Sequence, residues 1–182
     1  MLYSIEKDTK ESGDMKTKKL VIAALMAALA CVVTMIVKVP SPLKGYVNLG
    51  DCIVLIAGWI LSPVYGFMAA AIGSAMADVF SGYVLYAPAT FVIKGLMALI
   101  ACYGYKLCSK KLGDLPSRII SGILAETFMV LGYYVFEGFL YGFIPSLVNI
   151  PANAVPMPYR MCHSTGCWQV YNANRRNLCK SP

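Results

Sequence analysis

The sequence predicts an all-α fold: an integral membrane bundle of six transmembrane helices, the sixth disrupted after Val155. Three observations lead there. Of 182 residues, 58% are hydrophobic and 14% charged, with a mean hydropathy of +0.63, whereas soluble domains run roughly 45–50% apolar and 25% charged. Apolar runs long enough to cross a bilayer recur along the chain, the first with 18 residues and no charge (Leu20–Val37). The basic residues collect in the caps between these runs rather than in a stripe, so the net charge of +7 does not point to nucleic acid.

In chain order, residues 1–19 form a polar lead with five lysines against four acids, expected to be a disordered or interfacial cytoplasmic segment. Met15, opening MKTKKL, reads like a natural start. Leu20–Val37 spans about 27 Å as a helix. Its Ala23/Ala27 and Ala24/Ala28 pairs let another helix approach closely, and either internal packing or a docking face for a partner protein fits them. Lys38–Val47, with two prolines and a glycine, is expected to be a loop. Asn48–Leu61 is a shorter apolar segment with Asp51 near its start. Val64–Phe80, rich in glycine, alanine and serine, is expected to be central and tightly packed, with Asp78 near its end. Gly82–Leu96 is an aromatic turn running into the next crossing, Ala89–Leu107, which carries Lys94. A lysine at the bilayer centre costs roughly 3 kcal/mol or more, so Lys94 is expected to face protein, water or a ligand. Ile119–Phe136 carries Glu126, with Glu137 at its end. Val148 onward starts a sixth segment bearing Asn149 and Asn153. Residues 20–155 are thus read as one transmembrane domain.

The distribution of lysine and arginine sets the orientation. With the N-terminus in the cytoplasm, nine basic residues up to residue 155 lie inside; Lys38 and Lys44 lie outside, and Lys94 lies within the membrane. Asn48, Asp51, Asp78, Tyr83, Tyr86, Lys94, Glu137, Asn149 and Asn153 then fall in the outer half. The cytoplasmic half is left nearly free of polar groups. This asymmetry predicts a pocket open outward and closed inward, because a pore needs polar lining throughout.

From Pro156 the apolar pattern stops. Half a helix cannot satisfy its backbone in lipid, and the tail 156–182 is read as atypical: either a shifted reading frame or a genuine cytoplasmic tail. Cys162, His163 and Cys167 are therefore not taken as a metal site. Cys31, Cys52 and Cys102 lie in apolar runs and read as small hydrophobes. No cofactor is expected.

GYVNLGD (Gly45–Asp51), SPVYGFMAAAIGSAMAD (Ser62–Asp78) and GYVLYAPATFVIKGL (Gly82–Leu96) resemble the substrate-binding S components of energy-coupling factor (ECF) vitamin transporters, most closely the riboflavin-type group. The resemblance runs from about Lys16 to Val155. It implies a six-helix membrane subunit that binds a vitamin or precursor from outside. Such a subunit has no ATPase activity and docks on a transmembrane coupling protein carrying two ATPases. It implies that Ala23, Ala24, Ala27 and Ala28 form the docking motif, and that the pocket draws on Tyr46, Asn48, Tyr86, Phe91, Lys94, Glu137, Asn149 and Asn153. Two alternatives remain beside the resemblance. Tyr83 and Tyr86 also fit an interfacial aromatic belt, and Lys94 fits a structural ion pair with Asp78 or Glu137. Riboflavin is the first expected ligand, with a pyrimidine thiamine precursor or pyridoxine next. A self-sufficient secondary transporter is the second reading; an integral membrane enzyme, for which no histidine precedes residue 163, is the third.

Overall fold

A computed structural model describes the backbone of residues 2–36, 38–40, 46–154 and 156–178. Side chains are described for residues 16–36, 48–151, 153–154, 156–167 and 169. The elements are α1 (Leu2–Ile36), β1 (Lys38–Pro40), β2 (Tyr46–Asn48), α2 (Gly50–Ile60), α3 (Pro63–Phe80), α4 (Ala87–Cys108), α5 (Asp114–Tyr141), α6 (Phe143–Ser146), α7 (Asn149–Ala154) and α8 (Met157–Leu178). The fold is all-helical apart from two three-residue strands, which pair antiparallel with Val39 opposite Val47.

Among the described residues, four helices are long and apolar enough to cross a membrane: Lys16–Ile36 of α1, α3, α4 and α5. Four of the six crossings expected from the sequence are matched in this way. With 11 residues, α2 reaches only about 16 Å, short of a hydrocarbon core of about 30 Å. With 22 residues, α8 has the length, but its sequence is too polar. The polar lead, expected to be disordered or interfacial, continues α1 from Leu2.

Local chemistry explains the boundaries. Prolines sit in the first turns of α3 and α4, where a missing N–H costs nothing and the fixed φ suits a helix. Helix α5 outruns its apolar stretch at both ends, because a helix continues into the interface as long as its backbone bonds close. It starts at Asp114, whose charge favours a helix N-terminus, and ends at Gly142, whose φ of +92° is open chiefly to glycine.

Helix α4 is the centre of the bundle: half of its span is buried, against 17% for α1 at the edge. Its Ile93, Met97, Ala98 and Ala101 pack with Val54, Leu55 and Trp59 of α2 and with Ala125, Met129 and Val130 of α5. Helix α3, expected to be central, is nearly as buried, at 44%. Its small residues let α1 lie close: a Cβ at Gly73 would strike the Ala27 carbonyl. A second core joins Ala23 to Ala57, Leu61 and Ala69. The outer faces carry exposed apolar side chains, among them Leu25, Ile36, Val64, Leu107 and Phe139, as a surface in contact with lipid tails requires.

The first part of the tail packs against this bundle. Helix α8 lies against α2 and α5, with Met161 in the main core and Arg160 and Ser164 fully buried. The backbone that half a helix would leave unsatisfied is resolved by two helices meeting near residue 155, with α7 ending at Ala154 and α8 beginning at Met157. Val155 itself lies outside the described residues.

Candidate ligand-binding site

A narrow cavity opens at the end of the bundle where α1 and α3 finish and α2 and α4 begin. It leaves about 30 Å³ for the centres of water-sized molecules, within about 540 Å³ of atom-free space that includes its mouth. Sites for organic ligands run roughly 300–1,000 Å³, so a molecule of that size fits only if the walls part.

The upper wall is aromatic and hydroxylic. Tyr83 and Tyr86 both line it. Tyr86 is buried and packs edge-on against Phe136, with ring centroids 5.3 Å apart. The Thr90 and Tyr133 hydroxyls are hydrogen-bonded at 3.0 Å. Glu137 is buried, and its Oε2 accepts the Nδ2–H of Asn149 at 2.9 Å.

The floor is a chain of alternating charges contributed by four helices. Asp51, in the first turn of α2, pairs with Lys94 of α4 through Oδ1. Its Oδ2 pairs with Arg160 Nη1 of α8 at 2.7 Å. The same nitrogen reaches Oε2 of Glu126 on α5 at 3.2 Å. All four side chains are at most 3% exposed. Two cations meet two carboxylates, which is the only way such burial avoids a large desolvation penalty. The N-terminal position of Asp51 adds the favourable end of the helix dipole. The Arg160 carbonyl accepts the Cys52 thiol at 3.3 Å, and Lys94 also lies 5.4 Å from the centre of the Tyr133 ring.

Of the residues singled out by sequence, Asn48, Tyr86, Lys94, Glu137 and Asn153 line the cavity. Asn48 also accepts the Gly50 N–H at 2.9 Å, tying down the start of α2. Two others are not in the lining. Phe91 packs edge-on against Phe67 at 6.0 Å, and Asn149 stands behind Glu137 and orients it. The Tyr46 side chain lies outside the described residues. The expected partner of Lys94 is corrected: it is Asp51, rather than Asp78 or Glu137. Thr34, Ser74, Asp78, Thr90, Met129, Tyr133 and Arg160 also line the cavity and were not foreseen as ligand contacts. Lys94 offered the one signal, since a lysine in an apolar run implies a carboxylate nearby, but not which one.

The alanine face divides. Ala23 is buried and Ala27 packs on α3, while Ala24 and Ala28 are exposed. The reason is geometric: positions one apart on a helix point about 100° apart, so the overlapping pairs cannot share one outward face.

The opposite end of the bundle is closed, though not by apolar packing alone as expected. Arg118, 2% exposed, lies 4.3 Å from the Tyr105 ring centre and 5.3 Å from that of Trp59. It reaches Asp114 at 3.0 Å. Trp59 Nε1 donates to Ser121 Oγ at 3.1 Å. Among the described residues, core packing and this plug lie between the cavity floor and the other face.

Comparison with known proteins agrees with this geometry. The profile described as the ECF-type riboflavin transporter S component matches residues 14–159. A Pyrococcus woesei protein described as an uncharacterized protein in a gap 3′ region is 37% identical over 112 residues, covering 61% of this chain and 72% of its own. A solved S component of a bacterial ECF transporter superposes with a TM-score of 0.69 at 22% identity, over 91% of this chain and 99% of its own. The S component for biotin from an ECF-type ABC transporter superposes with a TM-score of 0.64 at 18% identity, over 90% and 93%.

Proposed function

Because this chain belongs to the ECF-type riboflavin transporter S-component family, we propose that it is the subunit that captures a small water-soluble vitamin or vitamin precursor for import by an ATP-driven ECF complex. It is a multi-pass cell-membrane protein, and its family and structural relatives are transport subunits, not enzymes. Riboflavin is the first candidate ligand, with a pyrimidine thiamine precursor or pyridoxine next. The partners are a transmembrane coupling protein and two ATPases. The N-terminus faces the cytoplasm, so the cavity opens outside.

One observation carries this reading: a cavity walled by tyrosines and hydrogen-bonding groups lies toward one end of the bundle, over a self-neutralised floor. The tyrosine faces suit a flat heteroaromatic ring, and Asn48, Thr90 and Asn153 suit its ring nitrogens, carbonyls or hydroxyls. Ala24 and Ala28 are the part of α1 left for the coupling protein. Uptake of labelled riboflavin, thiamine precursor and pyridoxine by cells with and without the coupling module tests the reading. Uptake only with the module is the expected result.

A self-sufficient secondary transporter has one observation in its favour. Carboxylates and cations buried among membrane-spanning helices mark ion and proton pathways in many carriers, and Asp51 and Glu126 are of that kind. Full-rate uptake by this chain alone would favour that alternative.

A further inference from the structure

The charges around the cavity divide into a balanced set and an acidic remainder. Lys94 and Arg160 are the cations in the described lining, and both are engaged by Asp51 and Glu126. An anionic ligand could draw on either only by weakening a buried pair: taking Lys94 leaves Asp51 to Arg160 alone, and taking Arg160 leaves Glu126 without its counter-ion. Glu137 differs. It lines the same cavity, is 2% exposed, and is hydrogen-bonded by two neutral groups, the Asn149 amide and the Tyr86 hydroxyl. Among the described residues no basic side chain lies within 4 Å of it. A second observation points into the same space. Thr34 Oγ1 belongs to a 2% exposed side chain that lines the cavity, and it has no hydrogen-bond partner among the described residues. A buried hydroxyl left this way is costly unless something in the cavity bonds it.

We propose that the cavity selects its ligand by charge: it takes a neutral or cationic vitamin that presents N–H or cationic groups to Glu137 and a polar atom to Thr34, and it refuses ligands bearing a carboxylate or phosphate. The selection rests on the vitamin-capture reading above and narrows it. A ligand anion would lie beside the Glu137 carboxylate in a region shielded from water, where like charges repel strongly, and among the described residues lining the cavity no uncommitted cation offsets it. A ligand N–H or ammonium would instead complete the hydrogen bonding of Glu137 with a charge-assisted bond.

The test is calorimetric titration of the purified full chain in detergent with paired ligands. The pairs are pyridoxine and 4-pyridoxic acid, which match in size, riboflavin and riboflavin 5′-phosphate, and thiamine and thiamine monophosphate; biotin and pantothenate are added singly. The expected result is that at least one neutral or cationic member binds and that its anionic counterpart binds at least a hundredfold more weakly. Glu137→Gln should weaken the preferred ligand at least tenfold and narrow the gap to the anion. Thr34→Val should weaken it several-fold. An anionic member binding within tenfold of its partner overturns charge selection and leaves vitamin capture standing. An unchanged gap in a folded Glu137→Gln overturns the assignment of selection to Glu137. Binding of no member overturns vitamin capture, and charge selection with it.

Discussion

Two arginines are buried to the same degree in this molecule, and their surroundings have little in common. Arg118, at the other end, lies against the rings of Tyr105 and Trp59 and reaches Asp114, a carboxylate that is itself 52% exposed. Arg160, under the cavity, touches two carboxylates that are at most 1% exposed, one of them shared with Lys94. The difference follows from distance to water. Near a helix end, aromatic faces and one half-solvated acid suffice to hold a guanidinium, because its partner keeps much of its hydration. Deep among the helices, where these side chains are at most 3% exposed, each charge is matched by another. The closed end is therefore a plug of stacked side chains, whereas the cavity floor is an electrostatic tie joining α2, α4, α5 and α8.

The sharpest way to break this contrast is Arg160→Met. It leaves Asp51 and Glu126 short of a counter-ion and should cost about 3–5 kcal/mol, read as a large loss of thermal stability in detergent. Adding Glu126→Gln should recover part of that loss, because the two residues are directly coupled. A melting temperature unchanged in the single variant would mean that α8 does not neutralise the floor. Lys94→Met comes next. Asp51 keeps Arg160, so the stability cost should fall to about 1–3 kcal/mol, while ligand affinity drops at least tenfold, about 1.4 kcal/mol. Unchanged affinity would make Lys94 purely structural.

Arg118→Met sharpens the comparison from the other side. Its loss should be about 1 kcal/mol, the scale of a cation–π contact with a partly exposed ion pair. Trp59 emission should shift, because the ring loses the cation lying over it. A loss as large as that of Arg160→Met would show that the two ends are not built on different principles. The smallest stability effect belongs to Ala24→Leu on the exposed side of α1, within about 0.5 kcal/mol. Its consequence should fall on assembly: ligand binding is retained, while co-purification with the coupling protein and module-dependent uptake are lost. Intact uptake would remove Ala24 from the docking surface.

Burial also bears on how binding is followed. Trp59 lies at the closed end, stacked on Arg118 and bonded to Ser121. It reports on the plug rather than directly on the cavity, which is why calorimetry is the better probe of ligand.

Most helix positions were legible in the sequence. Apolar runs, prolines in first turns and the spacing of small residues depend on neighbours within a few positions of the chain, and α2 to α5 lie close to where those cues put them. The buried placement of Lys94 was legible for the same reason, since a charge in an apolar run has few options. Its partner was not. Asp51 lies 43 positions away, and Asp78 and Glu137 were equally available until the helices were packed. The packing of Met157–Ser164 was not legible, because hydropathy counts polar atoms without knowing which of them will meet an opposite charge. Arg160 is matched by Asp51 and Glu126, which only packing sets beside it.

By itself the sequence determined that this is a membrane bundle, where most of its helices run, and that polar groups gather toward one end, because hydrophobicity and turn chemistry act locally. Only the tertiary structure decided which charges cancel, which alanines face outward, and that Glu137 and Thr34 remain turned to the cavity. Those outcomes depend on contacts between segments far apart in the chain, and a buried charge is stabilised only by the particular group that packing brings against it.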